Sequence, residues 1–575
     1  MTFAQKAMLC VACLTLPLAP PVIARTHDHM PPMVAAPAPA ANAPKLVIAI
    51  AIDQFSADLF AQYRTHFTGG FARLAGGGVF PSGYQSHAAT ETCPGHSTLM
   101  TGMRPAHTGV IANNWFDQSV TRANKSVYCA EDEARTAAAA GDYIAAVGHL
   151  LVPTLGERMK AMWPTSRNVA VSGKDRAALM MGGHSIDDVY WWKGKGFVTL
   201  DSATASPVVT EQNAAVTALL AAGAPGFELP GDCVAHDRAI SAGAVKAAEG
   251  STPVTAAAVT VGTGRFVLVP GDAAAFRASP RLDRAVLELA TRLVDADHLG
   301  RGPTPDVLSI SLSATDYVGH GYGTQGTEMC LQLHQIDAAM GVFFAGLDSR
   351  GIDYAVVLTA DHGGFDMPER LREQALPAAQ RADAALLPKA LSERVGARLG
   401  LDPAGLFLGE GVSGDVWVRR GLTPEQKAAA IAAARADLLA RPQVAAVLTA
   451  QELMATPMPA GSPETWSLAQ RARASFYAPR SGDFVTLLQR GVMALPVPGP
   501  GYVATHGSPW DYDRRVPILF WRKGMTAFEQ PNPVETVDIA PTLAALVGLR
   551  LPAGTFDGRC LDLDAGPGTT CGAQP

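Results

Sequence analysis

Charged side chains are scarce in this chain of 575 residues: they make up 17% of it, and aromatic side chains make up 7%. Acidic residues number 52 and basic residues 46, so the formal net charge is −6 and the basic excess of a nucleic-acid-binding protein is missing. Any anionic ligand must therefore be bound by local charges or metal ions, because no overall positive field would attract it. Hydrophobic residues reach 48%, which excludes disorder for most of the chain.

Apolar runs long enough to span a membrane are also missing. The N-terminal run, residues 7–18, is too short to span, and prolines at positions 17, 20 and 21 interrupt this region. Lys6 precedes the run and Val22-Ile23-Ala24 fits a small-residue cleavage site, so residues 1–24 are predicted to be a signal peptide. The Ala- and Pro-rich residues 25–44 are predicted to be a flexible leader, and the protein is expected to be periplasmic or secreted.

Cysteine is sparse, with 8 residues, of which Cys10 and Cys13 lie in the predicted signal peptide. The remaining six are Cys93, Cys129, Cys233, Cys330, Cys560 and Cys571. An even number in an oxidising compartment permits disulfides, and none of the six has the C-x-x-C spacing typical of a zinc site. Cys560 and Cys571 are close in sequence and are the favoured pair, whereas spacing leaves the other pairings open.

Several near-continuous apolar runs predict strands that are buried on both faces, as in a parallel α/β sheet. These runs are residues 45–53, 168–172, 307–313, 354–359 and 516–521. Helices are predicted at residues 283–298, 328–347 and 538–547. Residues from about 180 to 290 and from about 370 to 500 fit this alternation less well and are predicted to be insertions. The first contains a β-like piece at 265–269, and the second a strand–helix–strand unit at 414–418, 424–439 and 444–448.

Acids and histidines follow the predicted strands, where open α/β sheets bind their ligands. They are Asp53, Asp316, His320, Asp361, His362 and His506. Carboxylate and imidazole together suit zinc, with three or four protein ligands for each ion, so six ligands could serve two ions. Each residue alone could be a helix cap, a turn residue or an ordinary histidine. Their combination on consecutive α/β units, each crowded by glycines, favours a metal centre.

A second motif, Glu91-Thr92-Cys93-Pro94-Gly95-His96-Ser97, follows a β-like stretch and predicts the start of a short helix. At a helix N-terminus, Thr92 would lie where backbone N–H groups favour a phosphate. A threonine hydroxyl is a poor nucleophile unless its pKa is lowered, which a bound zinc ion can do. The simpler interpretation is that Thr92 only caps the helix, and the motif by itself does not exclude it.

These motifs together resemble the alkaline phosphatase superfamily, in particular its monomeric threonine-nucleophile alkaline phosphatases, which are related to type I phosphodiesterase/nucleotide pyrophosphatases. The resemblance covers residues 45–180, 300–365 and 500–550, approximately, in the expected order. It implies an α/β fold: an alkaline-phosphatase-like central, mostly parallel sheet flanked by helices, with two inserted subdomains. Residues 45–575 would then form a single catalytic domain.

The resemblance also implies residue roles. One zinc ion would be held by Asp53, Asp361, His362 and the nucleophile Thr92, and the other by Asp316, His320 and His506. Three residues would bind the phosphate, namely Asn113 of Asn113-Asn114-Trp115 and the pair Lys174 and Arg176 of SGKDRAA. Two Zn²⁺ ions per chain are expected, and any additional structural Ca²⁺ or Mg²⁺ stays open.

The implied activity is zinc-dependent hydrolysis of small phosphate monoesters through a phosphothreonine, by a monomer with no nucleic-acid partner and no membrane span. Two cations aimed at one phosphoryl oxygen favour monoesters over diesters, because a diester lacks that free anionic oxygen. The alternatives are a phosphodiesterase/nucleotide pyrophosphatase with the same two-zinc core and a non-catalytic exported metal- or phosphate-binding protein. A sulfatase is excluded, because Cys93 is followed directly by Pro94 and Ser97 stands where the C/S-x-P-x-R pattern requires Arg.

Overall fold

Seven consecutive buried apolar residues, Leu46–Ile52, form the strand β1 in the middle of a large sheet. The computed structural model describes residues 38–136, 143–243 and 258–572. The predicted signal peptide and residues 25–37 of the leader lie outside the described residues. The end of the leader is tied to the fold, since the Ala40 N–H donates to the Val547 carbonyl at 3.1 Å. Among the described residues, no helix combines the length and the apolar character needed to cross a membrane.

The strands are short and spread along the whole described chain. They are β1 Leu46–Ile52, β2 Gly78–Tyr84, β3 Asn114–Phe116, β4 Ser126–Tyr128, β5 Asn168–Ser172, β6 Asp188–Lys193, β7 Gly196–Val198, β8 Ile240–Ala242, β9 Val259–Val261, β10 Asp306–Leu312, β11 Tyr354–Thr359, β12 Gln380–Arg381, β13 Phe407–Leu408, β14 Gly414–Val418, β15 Val444–Thr449, β16 Phe484–Leu488, β17 Val492–Met493, β18 Arg515–Arg522, β19 Phe528–Glu529 and β20 Val534–Glu535.

The α-helices lie between these strands. They are α1 Ala57–Tyr63, α2 Gly70–Ala75, α3 Thr92–Thr101, α4 Pro105–Thr108, α5 Leu155–Met162, α6 Asp175–Gly182, α7 Pro207–Ala222, α8 Ala273–Arg277, α9 Pro280–Ala296, α10 Ala314–Tyr322, α11 Thr327–Ser349, α12 Pro368–Gln374, α13 Pro388–Leu399, α14 Pro424–Leu439, α15 Ala450–Ala455, α16 Leu468–Ser475, α17 Asp511–Arg514 and α18 Ile539–Val547. Short 3₁₀ turns cover Gly231–His236, Ala384–Leu386, Pro463–Thr465 and Thr536–Asp538.

The central sheet has the strand order β19-β2-β18-β11-β1-β10-β5-β6-β7, and β20 pairs with β2 at one end. The five strands from β11 to β6 run parallel to one another, whereas β18 and β7 join them antiparallel. Apolar residues of the two sheet faces pack into separate clusters, one around α9 and α11 and the other around α3, α5 and α18. This is the α/β architecture that the sequence predicts.

The two less regular segments differ in their relation to this sheet. Strands β6 and β7 fall within the segment of about 180–290 but extend the central sheet beside β5. The β-like piece at 265–269 is not a strand, since it makes only an isolated bridge between Ala224 and Leu268. In the segment of about 370–500, β13, β14, β16 and β15 form a separate four-stranded sheet with its own apolar cluster.

Three disulfides join the cysteines of the described chain: Cys93–Cys129, Cys233–Cys330 and Cys560–Cys571. The last is the pair that the sequence favours. The first links the start of α3 to the end of the β3–β4 hairpin, so it fixes the helix that carries Thr92 against a neighbouring element. Cys233–Cys330 fixes the turn at Gly231–His236 against helix α11.

Candidate active site

The register of three parallel strands brings the predicted ligands to one edge of the sheet. Ile52 of β1 lies opposite Leu312 of β10, and Ala51 lies opposite Thr359 of β11, so the three strands end at the same level. Asp53, Asp316 and Asp361 follow these strand ends within a few residues. Their carboxylates therefore converge although long stretches of chain separate them, and all three side chains are buried.

The first acid–histidine group contains Asp53, Asp361 and His362. The His362 Nε2 lies 3.4 Å from the Asp53 Oδ1 and 3.3 Å from the Asp361 Oδ2. Burial lowers the pKa of His362 to about 3, so its imidazole is neutral. Neutral imidazole and carboxylate are the forms in which these side chains bind metals.

The second group contains Asp316, His320 and His506. The Asp316 Oδ1 lies 3.2 Å from the His320 Nε2 and 3.3 Å from the His506 Nε2. The two groups adjoin, because the His362 and His506 rings stack with centroids 3.7 Å apart. Asp316 belongs to both, since its ligand atom also lies within 4.8 Å of those of Asp53 and His362.

The same hydrogen-bond arrangement orients all three histidines. The Nδ1 atoms of His320, His362 and His506 lie 2.8–2.9 Å from the carbonyls of Ala504, Gly363 and Thr90, respectively. A carbonyl can only accept a hydrogen bond, so Nδ1 carries the proton and donates it. In this tautomer the Nε2 lone pair of each histidine is directed towards the carboxylates and is free to bind a metal ion.

Unpaired buried atoms show that these residues fit a metal ion. The Asp53 Oδ1, the Asp361 Oδ2 and the His362 Nε2 are buried and have no hydrogen-bond partner among the described residues. Such groups are costly unless a ligand satisfies them. All three are electron-pair donors without a hydrogen to offer one another, and a cation satisfies that combination. The protein nitrogen that lies 3.1 Å from the Asp361 Oδ2, His96 Nδ1, is hydrogen-bonded to the Thr92 carbonyl at 2.9 Å.

Thr92 is the first residue of α3 and lies beside these groups. The residue that precedes the helix is Glu91, and its side chain makes no capping hydrogen bond. The Thr92 Oγ1 lies 3.4 Å from the Arg176 Nη2 and 3.5 Å from the Lys174 Nζ. The hydroxyl thus faces two cations at the N-terminus of the helix. The N-cap residue is Glu91, so Thr92 does not have the capping role that the simpler interpretation gives it.

Lys174 lies between the two acid–histidine groups. Its Nζ donates to the Asp53 Oδ2 and to the Asp316 Oδ2, each at 2.6 Å. Burial lowers the pKa of Lys174, but the Asp316 and Asp53 carboxylates outweigh burial and raise it above its ordinary value. The ammonium is therefore a permanent positive charge at the centre of the site.

Arg176 and Asn113 reach the site from two further elements. Arg176, on α6, has a buried Nε without a partner among the described residues, so this donor remains available to an anion. The Asn113 Oδ1 accepts the Cys93 N–H at 2.9 Å, and the Asn113 N–H donates to the Glu91 Oε2 at 2.7 Å. With its oxygen committed, the Asn113 carboxamide has its Nδ2 donors left for a ligand.

Gln54 is a residue of the site that is missing from the predicted set. This residue has a φ of 67°, and its side-chain Nε2 donates to the Asp316 Oδ1 at 3.1 Å while its backbone N–H donates to the Asp361 Oδ1 at 3.1 Å. Gln54 therefore ties the acids of both groups together. Glutamine, unlike glycine or asparagine, has no marked preference for the left-handed region, so its residue type gave no signal for this role.

His96 and Tyr128 are also missing from the predicted set. The His96 Nδ1 lies 2.9 Å from the Thr92 carbonyl and 3.1 Å from the Asp361 Oδ2. The Thr92-x-x-x-His96 spacing on a helix could have suggested the first of these contacts. The Tyr128 hydroxyl donates to the Asp175 Oδ1 at 2.8 Å and lies 3.4 Å from the Arg176 Nη1, and this long-range contact has no local sequence signal.

Comparison with known proteins shows the family of this chain. A sequence profile of the type I phosphodiesterase / nucleotide pyrophosphatase family matches residues 47–509. This chain belongs to that family. The alkaline phosphatase PhoK of Sphingomonas sp is 52% identical to it over 567 residues, which cover 98% of this chain and 99% of that relative.

A second relative in the family is the alkaline phosphatase PhoD of Zymomonas mobilis subsp. mobilis. It is 46% identical over 579 residues, covering 98% of this chain and 97% of the relative. The solved structure of the alkaline phosphatase PafA superposes with a TM-score of 0.77 at 23% identity, over 91% of this chain and 99% of that one. The last comparison establishes that the two proteins share a fold.

Proposed function

We propose that this member of the type I phosphodiesterase / nucleotide pyrophosphatase family is a zinc-dependent alkaline phosphatase that hydrolyses phosphate monoesters through a phosphothreonine. The observation that carries the proposal is the position of Thr92. Its hydroxyl lies 3.4 Å from the Arg176 guanidinium and 3.5 Å from the Lys174 ammonium, beside two acid–histidine groups. Relatives at 52% and 46% identity that bear the name alkaline phosphatase support the same activity.

Two zinc ions fit the donor set. Asp53, Asp361, His362 and Thr92 would hold one ion, and Asp316, His320 and His506 would hold the other. When bound, such ions supply Lewis acidity, which lowers the pKa of a hydroxyl and neutralises phosphoryl charge. The number and identity of the ions and the assignment of ligands to each ion are part of the proposal, and the close approach of Asp53, Asp316 and His362 and of Asp316, His320 and His506 supports it.

The side chains of this chain perform the remaining chemistry. The Thr92 hydroxyl loses its proton to solvent and its Oγ forms a bond to phosphorus, while the bond from phosphorus to the leaving oxygen breaks and that oxygen takes up a proton from solvent to become the alcohol. Arg176, Lys174 and the Asn113 carboxamide donate to the non-bridging oxygens and hold the phosphoryl group in line with Thr92. Water then attacks the phosphothreonine, the bond to the Thr92 Oγ breaks, and inorganic phosphate leaves.

Charge decides between a monoester and a diester substrate. A bound monoester places one more anionic oxygen in the site than a diester does, and the buried Lys174 and the partly buried Arg176 face Thr92. Buried cations near an uncompensated oxygen favour the dianion. The diesterase activity suggested by the family name is therefore the second candidate, and substrate comparison separates the two.

We also propose that the enzyme acts as a monomer outside the cytoplasm, after removal of residues 1–24. The three disulfides support an oxidising compartment, because such bonds persist there and are rare in the cytosol. Small phosphomonoesters are the proposed substrates, with no nucleic-acid partner.

The first prediction concerns the nucleophile. Thr92→Ala should lose nearly all turnover of p-nitrophenyl phosphate yet still bind zinc, because six other ligands remain. Thr92→Ser is the matched control: it keeps the hydroxyl and should keep much of the activity. Steady-state kinetics on the monoester and on its bis-p-nitrophenyl ester, with zinc content by mass spectrometry, test this. Parental turnover by Thr92→Ala, or a higher kcat/KM for the diester, would contradict the proposed function.

A further inference from the structure

A cavity of about 300 Å³ opens beside the proposed active site. It touches the site through Asn113 and His506, whereas Thr92, Lys174 and Arg176 are not among its lining residues. Displacement at phosphorus is in line, so the leaving alcohol departs on the side opposite to the Thr92 hydroxyl. His506 in its lining belongs to the acid–histidine group proposed to hold the zinc ion that Thr92 does not bind, so an alcohol leaving on that side would enter this cavity.

The cavity is acidic. Glu91, Glu410 and Asp415 line it, and none of its lining residues in the described part of the chain is Lys or Arg. Glu410 is exposed, and one of its oxygens accepts the Ser126 hydroxyl at 2.7 Å. Burial raises the pKa of Asp415 to about 6, so this carboxyl is also ionised at alkaline pH.

Aromatic side chains complete the wall. Tyr502 is 43% exposed, and its ring stacks on His320 with the centroids 4.6 Å apart. Trp417 also lines the cavity, and its indole N–H is committed to the Arg480 carbonyl at 3.1 Å. Aromatic faces beside carboxylates attract cations and accept neutral rings, and they offer nothing to a second anion.

A second cavity, next to the proposed phosphate-binding pair, has the reverse character. Lys174 and Arg176 also line a separate cavity of about 380 Å³ together with Lys193 and Arg277. Asp175 is the acid among its lining residues in the described part of the chain. The molecule thus separates a cationic side, suited to the phosphoryl group, from an acidic side, suited to the alcohol.

We propose that this acidic cavity selects phosphomonoesters whose alcohol is neutral or positively charged and disfavours alcohols that carry a second anionic group. The inference rests on the proposed function and adds a substrate class to it. Phosphate esters of aryl or amino alcohols belong to the favoured class. Esters whose alcohol bears a carboxylate or a further phosphate belong to the disfavoured class.

Three aryl phosphates test the inference: one with a 3-trimethylammonio group, one with a neutral 3-substituent and one with a 3-carboxylate, matched by the pKa of the leaving phenol. Assayed on the zinc-loaded enzyme at alkaline pH, kcat/KM should fall in that order. One like-charge pair across a partly solvated cavity changes kcat/KM by roughly fivefold, so the cation and the carboxylate should differ by roughly tenfold or more.

Two charge-matched variants locate the effect. Glu410→Gln removes a cavity charge and should reduce the cation-to-carboxylate ratio of kcat/KM by roughly threefold to fivefold. Glu393→Gln changes the net charge equally at an exposed position of α13, outside the cavity lining, and should keep the parental ratio. Comparing these two variants shows whether the substrate preference is caused by the charges of the cavity or by the overall net charge of −6.

The outcomes separate the inference from the proposed function. Equal kcat/KM for the three esters, or the same ratio in Glu410→Gln and the parent, would overturn the inference while the proposed function stands. A preference for the carboxylate ester would mean that the alcohol lies instead near Lys193 and Arg277. Hydrolysis of none of the three esters by the zinc-loaded enzyme would overturn the proposed function and the inference together.

Discussion

At the scale of single residues, the main proposal concerns Lys174 and Arg176, whose charges are proposed to set the preference for phosphate monoesters. The Lys174 ammonium lies 2.6 Å from the carboxylates of both Asp53 and Asp316, and Arg176 lies 3.4 Å from the Thr92 hydroxyl. Because Lys174 is buried and Arg176 is partly buried, little water reaches these charges to screen them. Under the proposed function, Lys174 balances the negative charge of the two acids, and Arg176 contributes the positive charge that attracts a dianionic phosphoryl group.

Removing both cations should harm monoester hydrolysis far more than diester hydrolysis. A charge-assisted hydrogen bond is worth about 1.5–3 kcal/mol, so each loss should lower monoester kcat/KM by roughly tenfold to a hundredfold. The variant Lys174→Ala/Arg176→Ala is assayed on p-nitrophenyl phosphate and on its bis ester, and the exposed Lys195→Ala serves as control. Equal loss on both substrates would show that the pair supports the fold or the metal ligands.

Gln54 stores backbone strain between the two acid–histidine groups, since it has a φ of 67°. Gln54→Ala and Gln54→Gly both lose the side-chain contact with Asp316, but only alanine keeps a Cβ in the left-handed region. The left-handed conformation costs a residue with a Cβ about 1–2 kcal/mol. Gln54→Gly should therefore be more stable than Gln54→Ala by about 1 kcal/mol in urea unfolding, and equal stability would show that the strain is relieved elsewhere.

At the scale of elements, the β3–β4 hairpin supports the side of the site that is proposed to bind phosphate. The Cys93–Cys129 disulfide joins the hairpin to α3, and the Cys129 N–H donates to the Asn113 carbonyl at 2.9 Å. Tyr128 then reaches Arg176 at 3.4 Å and Asp175 at 2.8 Å on α6. Helix, hairpin and second helix are thus linked around one guanidinium.

Tyr128→Phe should make the Arg176 guanidinium more mobile, because it removes the hydroxyl that lies 3.4 Å from the Arg176 Nη1. A net hydrogen bond is worth about 0.5–1.5 kcal/mol, so monoester kcat/KM should fall by roughly threefold to tenfold with little change in the diester value. Tyr143→Phe is the matched control, because the Tyr143 hydroxyl also donates to Asp175, at 2.5 Å, whereas no hydrogen bond joins it to the Arg176 guanidinium in the described part of the chain. If monoester kcat/KM fell equally in both variants, the loss would be caused by the contact with Asp175 and not by the Tyr128 contact with Arg176.

At the scale of the whole molecule, metal binding should contribute to folding stability. The carboxylates of Asp53, Asp316 and Asp361 are crowded together in the folded protein. A ligand at a concentration of 1,000 times its Kd stabilises the state that binds it by about 4 kcal/mol. EDTA should therefore abolish activity and lower the Tm, and Zn²⁺ should restore both. Mg²⁺ alone should not, because imidazole ligands suit zinc better.

Calorimetry with metal analysis checks this prediction independently of turnover. The parent should bind two zinc ions, and His320→Ala/His506→Ala should bind one and show a smaller rise in Tm on adding zinc. Full activity and an unchanged Tm in a verified metal-free sample would contradict the two-metal proposal.

Local patterns were enough to predict the strands that build the site. Residues 168–172 and 354–359 were predicted from their apolar runs alone, and β5 and β11 have those bounds. These runs can be recognised in the sequence because strands buried on both faces must be apolar throughout. By the same reasoning, the change from apolar to acidic residues marks the edge of the sheet at which Asp53 and Asp361 lie.

The sequence by itself determined the α/β architecture, the strand-end acids and histidines, and the Cys560–Cys571 pair, because each is expressed in neighbouring residues. Only the tertiary structure decided that Lys174 bridges Asp53 and Asp316, that Gln54 joins both acid–histidine groups, and that Glu410 lines an acidic cavity beside Asn113. These contacts join residues far apart in the chain. They depend on how the sheet, the hairpin and the second, four-stranded sheet pack together, and no local pattern of residues records that packing.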